Sequence, residues 1–228
     1  MLYDKLATQI MKLIILRPQK PYIVYMTNIP FVILPKVYTF NYHNIFKLPS
    51  CAALALNLKV NYGDDVLDLG TGSGLQAILA SDKAGFVVAT DINATAVRCA
   101  TINKHLNHKH NITVCLGDMF EPVKGKKFDL IIWSPPNIIG RPVSVYEQSW
   151  LCGAKAQHFE NFWSQVNEYL KPDGMIEFVC NTHLELILNL IDKYGFQATL
   201  LKKQSHLIKK TYYIYTVRRK ISNVKEDN

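Results

Sequence analysis

Three glycines at alternate positions, Gly70, Gly72 and Gly74, follow directly on the apolar run Val66-Leu67-Asp68-Leu69. Glycine lets the chain turn sharply after a strand and lets a ligand reach the backbone without meeting a Cβ. In open α/β sheets ligands lie at the carboxyl ends of strands, where such a loop would sit. Two ligand classes compete for it. The dinucleotide fingerprint G-x-G-x-x-G does not fit, because Leu75 stands where its third glycine should fall. No lysine follows, as a phosphate-binding loop would need.

Acids recur at the ends of the apolar runs. Asp68 precedes the glycines, and Asp91 closes Val87-Val88-Ala89-Thr90-Asp91. Asp91 follows Gly70 by 21 residues, near the spacing at which an acid reaches ribose hydroxyls. A carboxylate can accept from both hydroxyls at once. Asp118 closes a third run in Leu116-Gly117-Asp118-Met119-Phe120. The competing reading for Asp91 and Asp118 is a helix N-cap.

A fourth run, Leu130-Ile131-Ile132-Trp133, ends in Ser134-Pro135-Pro136-Asn137. Paired prolines stiffen the backbone. A stiff turn can hold hydrogen-bond acceptors fixed, so that they need no reorganisation in a reaction. Positioning of this kind contributes on the order of 7–11 kcal/mol. The competing reading is a rigid strand end without catalytic duty.

Asp68 with its glycines resembles motif I, D/E-x-G-x-G-x-G, of the class I methyltransferases. Ser134–Asn137 resembles the N/D/S-P-P-Y/F/W motif of the amino-methyltransferase, or methyltransferase small domain, group. The resemblance runs in order over residues 50–218. It implies S-adenosyl-L-methionine as methyl donor. Asp68 would lie by its amino acid end, Asp91 at the ribose and Asp118 at the adenine amino group. Gly70, Thr71, Gly72, Gly74, Ile92, Met119 and Ser134 complete the implied cofactor contacts. Ser134, Pro135, Pro136 and Asn137 form the implied catalytic set, with the Ser134 side chain and the next backbone carbonyl as acceptors. Phe46-Lys47-Leu48-Pro49-Ser50 stands where the family covers its cofactor, or is simple packing of the N-terminal extension.

Two positions depart from that pattern. Ser134 stands where Asn or Asp is usual, and its hydroxyl reaches less far. Asn137 stands where an aromatic ring usually stacks on a flat acceptor. Trp133, Tyr146 and Trp150 are the alternative rings.

The elements that must hold these residues alternate. Strands are expected at Asp65–Leu69, Val87–Asp91, Ile112–Leu116, Asp129–Trp133 and Met175–Cys180, with helices over 50–60, 74–84, 94–107, 155–170 and 183–194. Continuous apolar strands signal a parallel sheet buried on both faces. The alternation gives an α/β, doubly wound, mostly parallel seven-stranded sheet. Segments 196–202 and 211–218 are read as its antiparallel addition. Residues 1–49 form an N-terminal extension with a short helix over 1–18 and one or two short strands. Residues 50–220 form the domain proper, and 221–228 a disordered tail.

The 228 residues carry a formal net charge of +8. Lys202, Lys203, Lys209, Lys210, Arg218, Arg219 and Lys220 fall in one stretch without an acid. If 196–202 runs parallel to the sheet, the four lysines rim the ligand edge and could meet an anionic partner. Otherwise they are a solvated loop. Five cysteines without a C-x-x-C pair argue against a disulfide framework or a zinc knuckle. His105, His108 and His110 lack the cysteines or acids that would complete a metal site. No run approaches the roughly 20 apolar residues of a membrane span, so a cytoplasmic place is expected. The acceptor is expected to be a nitrogen in a protein side chain or small metabolite. The alternatives are an RNA or DNA base, or a cofactor-binding subunit without catalysis.

Overall fold

A computed structural model describes residues 9, 20–38, 50–205 and 211–221. The expected helix over 1–18, residues Phe46 to Pro49, Lys209, Lys210 and the tail from 222 lie outside the described residues, apart from residue 9.

Nine strands are present among them. β1 (Tyr22–Met26) and β2 (Ile29–Ile33) form a hairpin. The other seven are β3 (Asp65–Leu69), β4 (Phe86–Asp91), β5 (Ile112–Leu116), β6 (Phe128–Trp133), β7 (Leu170–Cys180), β8 (Phe196–Ser205) and β9 (Thr211–Arg219). They build one sheet in the order β5-β4-β3-β6-β7-β9-β8. The five strands from β5 to β7 are mutually parallel, and β9 is antiparallel to both its neighbours. β8 therefore runs parallel to the main sheet, as the charge argument required.

Period-two alternation divides the core between the two faces of the sheet. Val66, Leu130 and Ile132 pack with α1 (Ser50–Ala55) and α2 (Leu75–Ala80). Leu67, Leu69, Ile131 and Trp133 pack on the other face with Phe159, Phe162 and Trp163 of α4 (Gln157–Gln165) and Ile187 of α5 (Leu184–Lys193). The hairpin joins the first core through Val24, Phe31 and Ile33. Its anchor is polar. Asn103, wholly buried in α3 (Ala94–Leu106), accepts from Val32 N at 2.7 Å and donates to Val32 O at 2.8 Å and Ser73 O at 2.9 Å.

Several boundaries differ from those expected. α1 stops at Ala55, where Asn57 turns back to donate to Ala53 O at 2.7 Å. α2 stops at Ala80, and Ser81 folds its hydroxyl onto Ile78 O. The helix expected over 155–170 is α4 followed by a 3₁₀ turn, Val166–Tyr169. β7 begins earlier than the expected Met175, with Leu170 paired to Phe128 before a register shift.

Candidate active site

β3 lies between β4 and β6, with Leu69 opposite Thr90 on one side and Trp133 on the other. Asp91 is opposite Leu116 of β5. The glycine loop, Asp91, the Gly117–Met119 turn and Ser134 therefore leave the same edge of the sheet from four adjacent strands.

The loop is held from beneath. Gly70 N and Thr71 N both donate to Thr90 O at 2.9 Å. Gly70 is left-handed, at φ +73, and a Cβ there would meet nothing within 4 Å, so its outer side is open. Gly74, at φ +85, is closed in, since an added Cβ would lie 3.2 Å from Ala100 Cβ. Asp68 is buried, and its Oδ2 accepts from Thr71 Oγ1 at 2.6 Å and from Ala77 N at 3.1 Å. Burial pushes its carboxyl up to about 7. In this arrangement Asp68 braces the loop onto α2.

Asp91 is half-buried. Its Oδ2 accepts from Gly72 N at 2.9 Å and its Oδ1 from Asn93 N at 2.8 Å. Each oxygen keeps a lone pair, as a grip on two hydroxyls requires. Burial raises this carboxyl too. The N-cap of α3 is Asn93, accepting from Thr95 N at 3.0 Å, and not Asp91. Ile92 lies between the two. Asp118 is exposed, and it accepts from Glu121 N through its backbone rather than its carboxylate. Met119 follows in left-handed backbone, φ +45. His158, in α4, feels the Asp118 charge, but burial outweighs it and pushes His158 down. An open glycine loop flanked by acids at two further strand ends fits a cationic nucleoside with a free ribose.

Ser134, Pro136 and Asn137 are half-buried and Pro135 is buried. Thr182, just beyond β7, donates its hydroxyl to Asn137 O at 2.7 Å. Sequence reasoning missed Thr182, because only the β6–β7 pairing brings it to this turn. Beyond the turn, Ile138 N donates to Trp150 O at 3.0 Å and Gly140 N to Gly153 O at 3.2 Å, closing a small lobe. Of the three rings considered, Trp133 is buried and stacked on Phe162 at 3.8 Å, and Trp150 is buried as well. Tyr146 is half-buried, 5.7 Å from Trp150.

Lys202 and Lys203 are exposed at the carboxyl-edge end of β8. Lys202 Nζ donates to Asn57 Oδ1 at 3.0 Å, and Lys203 Nζ lies 5.8 Å over the Tyr213 ring. Arg219 is at the opposite edge, where it donates to Asn167 Oδ1 at 2.7 Å and to the carbonyls of residues 170–172. Among the described residues no cluster of His, Cys, Asp or Glu could hold a metal ion. Among them, too, no helix is long and apolar enough to cross a membrane.

A family model described as the methyltransferase small domain matches residues 48–210. A protein of Methanocaldococcus jannaschii, named provisionally as a protein N5-glutamine methyltransferase, is 31% identical over 144 residues, which cover 60% of this chain and 72% of that one. The release factor glutamine methyltransferase of Aquifex aeolicus is 32% identical over 149 residues, 59% of this chain and 53% of that protein. The match thus spans about half the length of the Aquifex enzyme. Among solved structures, the T. thermophilus 16S rRNA N2 G1207 methyltransferase in complex with AdoMet and guanosine superposes with a TM-score of 0.60. It is 19% identical, with 88% of this chain and 50% of that chain covered, a likeness of fold.

Proposed function

The chain belongs to the methyltransferase small-domain family, and from that premise we propose that it is an S-adenosylmethionine-dependent N-methyltransferase acting on a protein side chain or small metabolite, with a side-chain carboxamide as the first candidate. The observation that carries the reading is the pairing of Leu69 with Trp133. It sets the open glycine loop beside the Ser134-Pro135-Pro136-Asn137 turn, so donor and acceptor sites adjoin.

The bound donor supplies a methyl group activated by its sulfonium. Gly70, Thr71, Gly72 and Gly74 shape the surface it lies on, with Asp68 holding that surface to α2. Asp91 accepts from the ribose hydroxyls, Asp118 from the adenine amino group, and Ile92 and Met119 line the same cleft. Ser134 Oγ and the adjacent carbonyl accept from the acceptor's N–H groups, and Pro135 and Pro136 keep both acceptors fixed. The burial of Trp133 against Phe162 supports a carboxamide over a nucleobase, since that ring is not free to stack. The two relatives named for glutamine methylation point the same way. A cytoplasmic place fits five free cysteines.

The second reading, an RNA or DNA base, draws support from Lys202 and Lys203 at the ligand edge. It requires nucleic-acid affinity that falls steeply with salt.

The test is calorimetry with S-adenosylmethionine and S-adenosylhomocysteine, then incubation with methyl-labelled donor and a fractionated cell extract. Heat of binding and label on a side-chain amide are expected. Label in the RNA fraction moves the assignment to the second reading. No heat with either ligand removes the donor and overturns both.

A further inference from the structure

Five buried side-chain polar atoms have no hydrogen-bond partner among the described residues: Ser144 Oγ, Trp150 Nε1, Trp163 Nε1, Asn181 Oδ1 and His183 Nε2. Leaving such an atom unpaired costs about 1–3 kcal/mol. Trp163 sits in the aromatic core against Phe162, Phe178 and Phe196. The other four lie on two segments, 144–150 and 181–183, that follow the carboxyl ends of the adjacent strands β6 and β7. Thr182 bonds to Asn137 O, and Ile138 N bonds to Trp150 O, so both segments are tied to the Ser134–Asn137 turn. His183 is also left-handed, at φ +56, a conformation that costs a non-glycine residue about 1–3 kcal/mol. Unmet polar atoms and strain on two segments tied to one turn are what a site shaped for a polar ligand leaves in its absence.

We infer that Asn181 binds the methyl acceptor, taking a hydrogen bond from the NH₂ of a carboxamide, with Trp150 Nε1 donating to that amide's oxygen and His183 beside them. The inference rests on the N-methyltransferase reading. A carboxamide has one accepting oxygen and two donated hydrogens, and these match the unmet groups. It also accounts for the departure at position 134. Ser134 reaches less far than the Asn or Asp usual there, and Asn181 shares with Ser134 Oγ, from the next strand, the one NH₂ hydrogen that the backbone carbonyl does not take.

The chain has three tryptophans, 133, 150 and 163, so its indole N–H signals can be followed singly by NMR. N-acetylglutamine amide is titrated into the protein loaded with S-adenosylhomocysteine. The Trp150 signal is expected to move saturably while that of Trp163 stays. Asn181→Leu should weaken the probe by about tenfold or more with S-adenosylhomocysteine affinity unchanged, and Asn181→Asp should restore it. Asn181→Leu should also unfold at the same or a higher temperature, because it removes an unmet acceptor. A silent Trp150, equal probe affinity in Asn181→Leu, or a lower unfolding temperature for that variant overturns the inference. Failure of S-adenosylhomocysteine itself to bind would instead overturn the reading beneath it.

Discussion

Leu69 and Trp133 are parallel partners at the centre of the sheet, so Gly70 and Ser134 leave neighbouring strands at the same level. The loop that shapes one site and the turn that shapes the other are thereby fixed by a single register. A slip of one residue would turn Trp133 out of its stack on Phe162 and invert every side chain of β6.

Ser134 is proposed to act on the acceptor nitrogen, not on donor binding alone. Ser134→Ala should therefore lower the methyl-transfer rate about a hundredfold and leave S-adenosylhomocysteine affinity nearly intact. Ser134→Asn should recover most of the rate. Single-turnover measurements with labelled donor, set beside calorimetry, separate the two effects. A loss confined to donor affinity would contradict the role.

Asp91 has two duties. It holds Gly72 N and Asn93 N, and it is proposed to grip the ribose. Asp91→Ala removes both, and donor affinity should fall on the order of a hundredfold. Asp91→Asn keeps one accepting oxygen and should fall less. Calorimetric titration of both variants measures this, and wild-type affinity in Asp91→Ala would exclude the ribose contact.

Asp68 makes stability depend on pH in an unusual direction. Its carboxyl is pushed up to about 7 by burial, against about 4 in an unfolded chain. Between those values the folded chain holds a proton that the unfolded chain has released. Stability from this group is thus full below about pH 4 and lost as pH rises through about 7. Asp68→Asn stays neutral and can still accept from Thr71 and Ala77. Thermal unfolding at pH 5 and pH 8 should show the parent losing more stability than Asp68→Asn over that interval. Equal pH dependence in the two would mean that Asp68 ionises normally.

The strands β3 to β6 and the ligand edge were legible because they rest on short-range signals. Apolar runs mark β3 to β6, and glycines and acids mark their ends. The charge on β8 could be placed as well, once its direction followed from the parallel sheet. Helix ends were less legible, since Asn57 and Ser81 end α1 and α2 by side-chain bonds whose local sequence does not stand out. The duty of Asp68 as a brace depends on Ala77, nine residues on. Thr182 reaches Asn137 across 45 residues. The first follows from the fold of the glycine loop, which returns α2 to the end of β3, and the second from the adjacency of β6 and β7, and spacing along the chain contains neither. Trp133 is a candidate stacking ring by sequence, but its place on β6 turns it into the α4 face of the core.

Asn103 offers a test of how the N-terminal hairpin is kept. Its amide imitates a strand edge, accepting from Val32 N and donating to Val32 O, and a further bond to Ser73 O ties the hairpin to the glycine loop. Hydrophobic contact from Val24, Phe31 and Ile33 holds the same hairpin to the first core, so loss of the amide should loosen it without unfolding the sheet. Asn103→Ala leaves Val32 N–H and Ser73 O unmet, while Val32 O keeps the Cys99 thiol at 3.2 Å, a cost of about 1–3 kcal/mol for each unpaired group. Hydrogen exchange should quicken over residues 22–33 and little in β3 and β6. Donor affinity should weaken as well, because the hairpin leads into Tyr38, whose carbonyl lies 3.8 Å from where a Gly72 Cβ would be. Exchange that quickens evenly through all strands would show that Asn103 supports the whole fold, and unchanged exchange over 22–33 would show that apolar packing alone holds the hairpin.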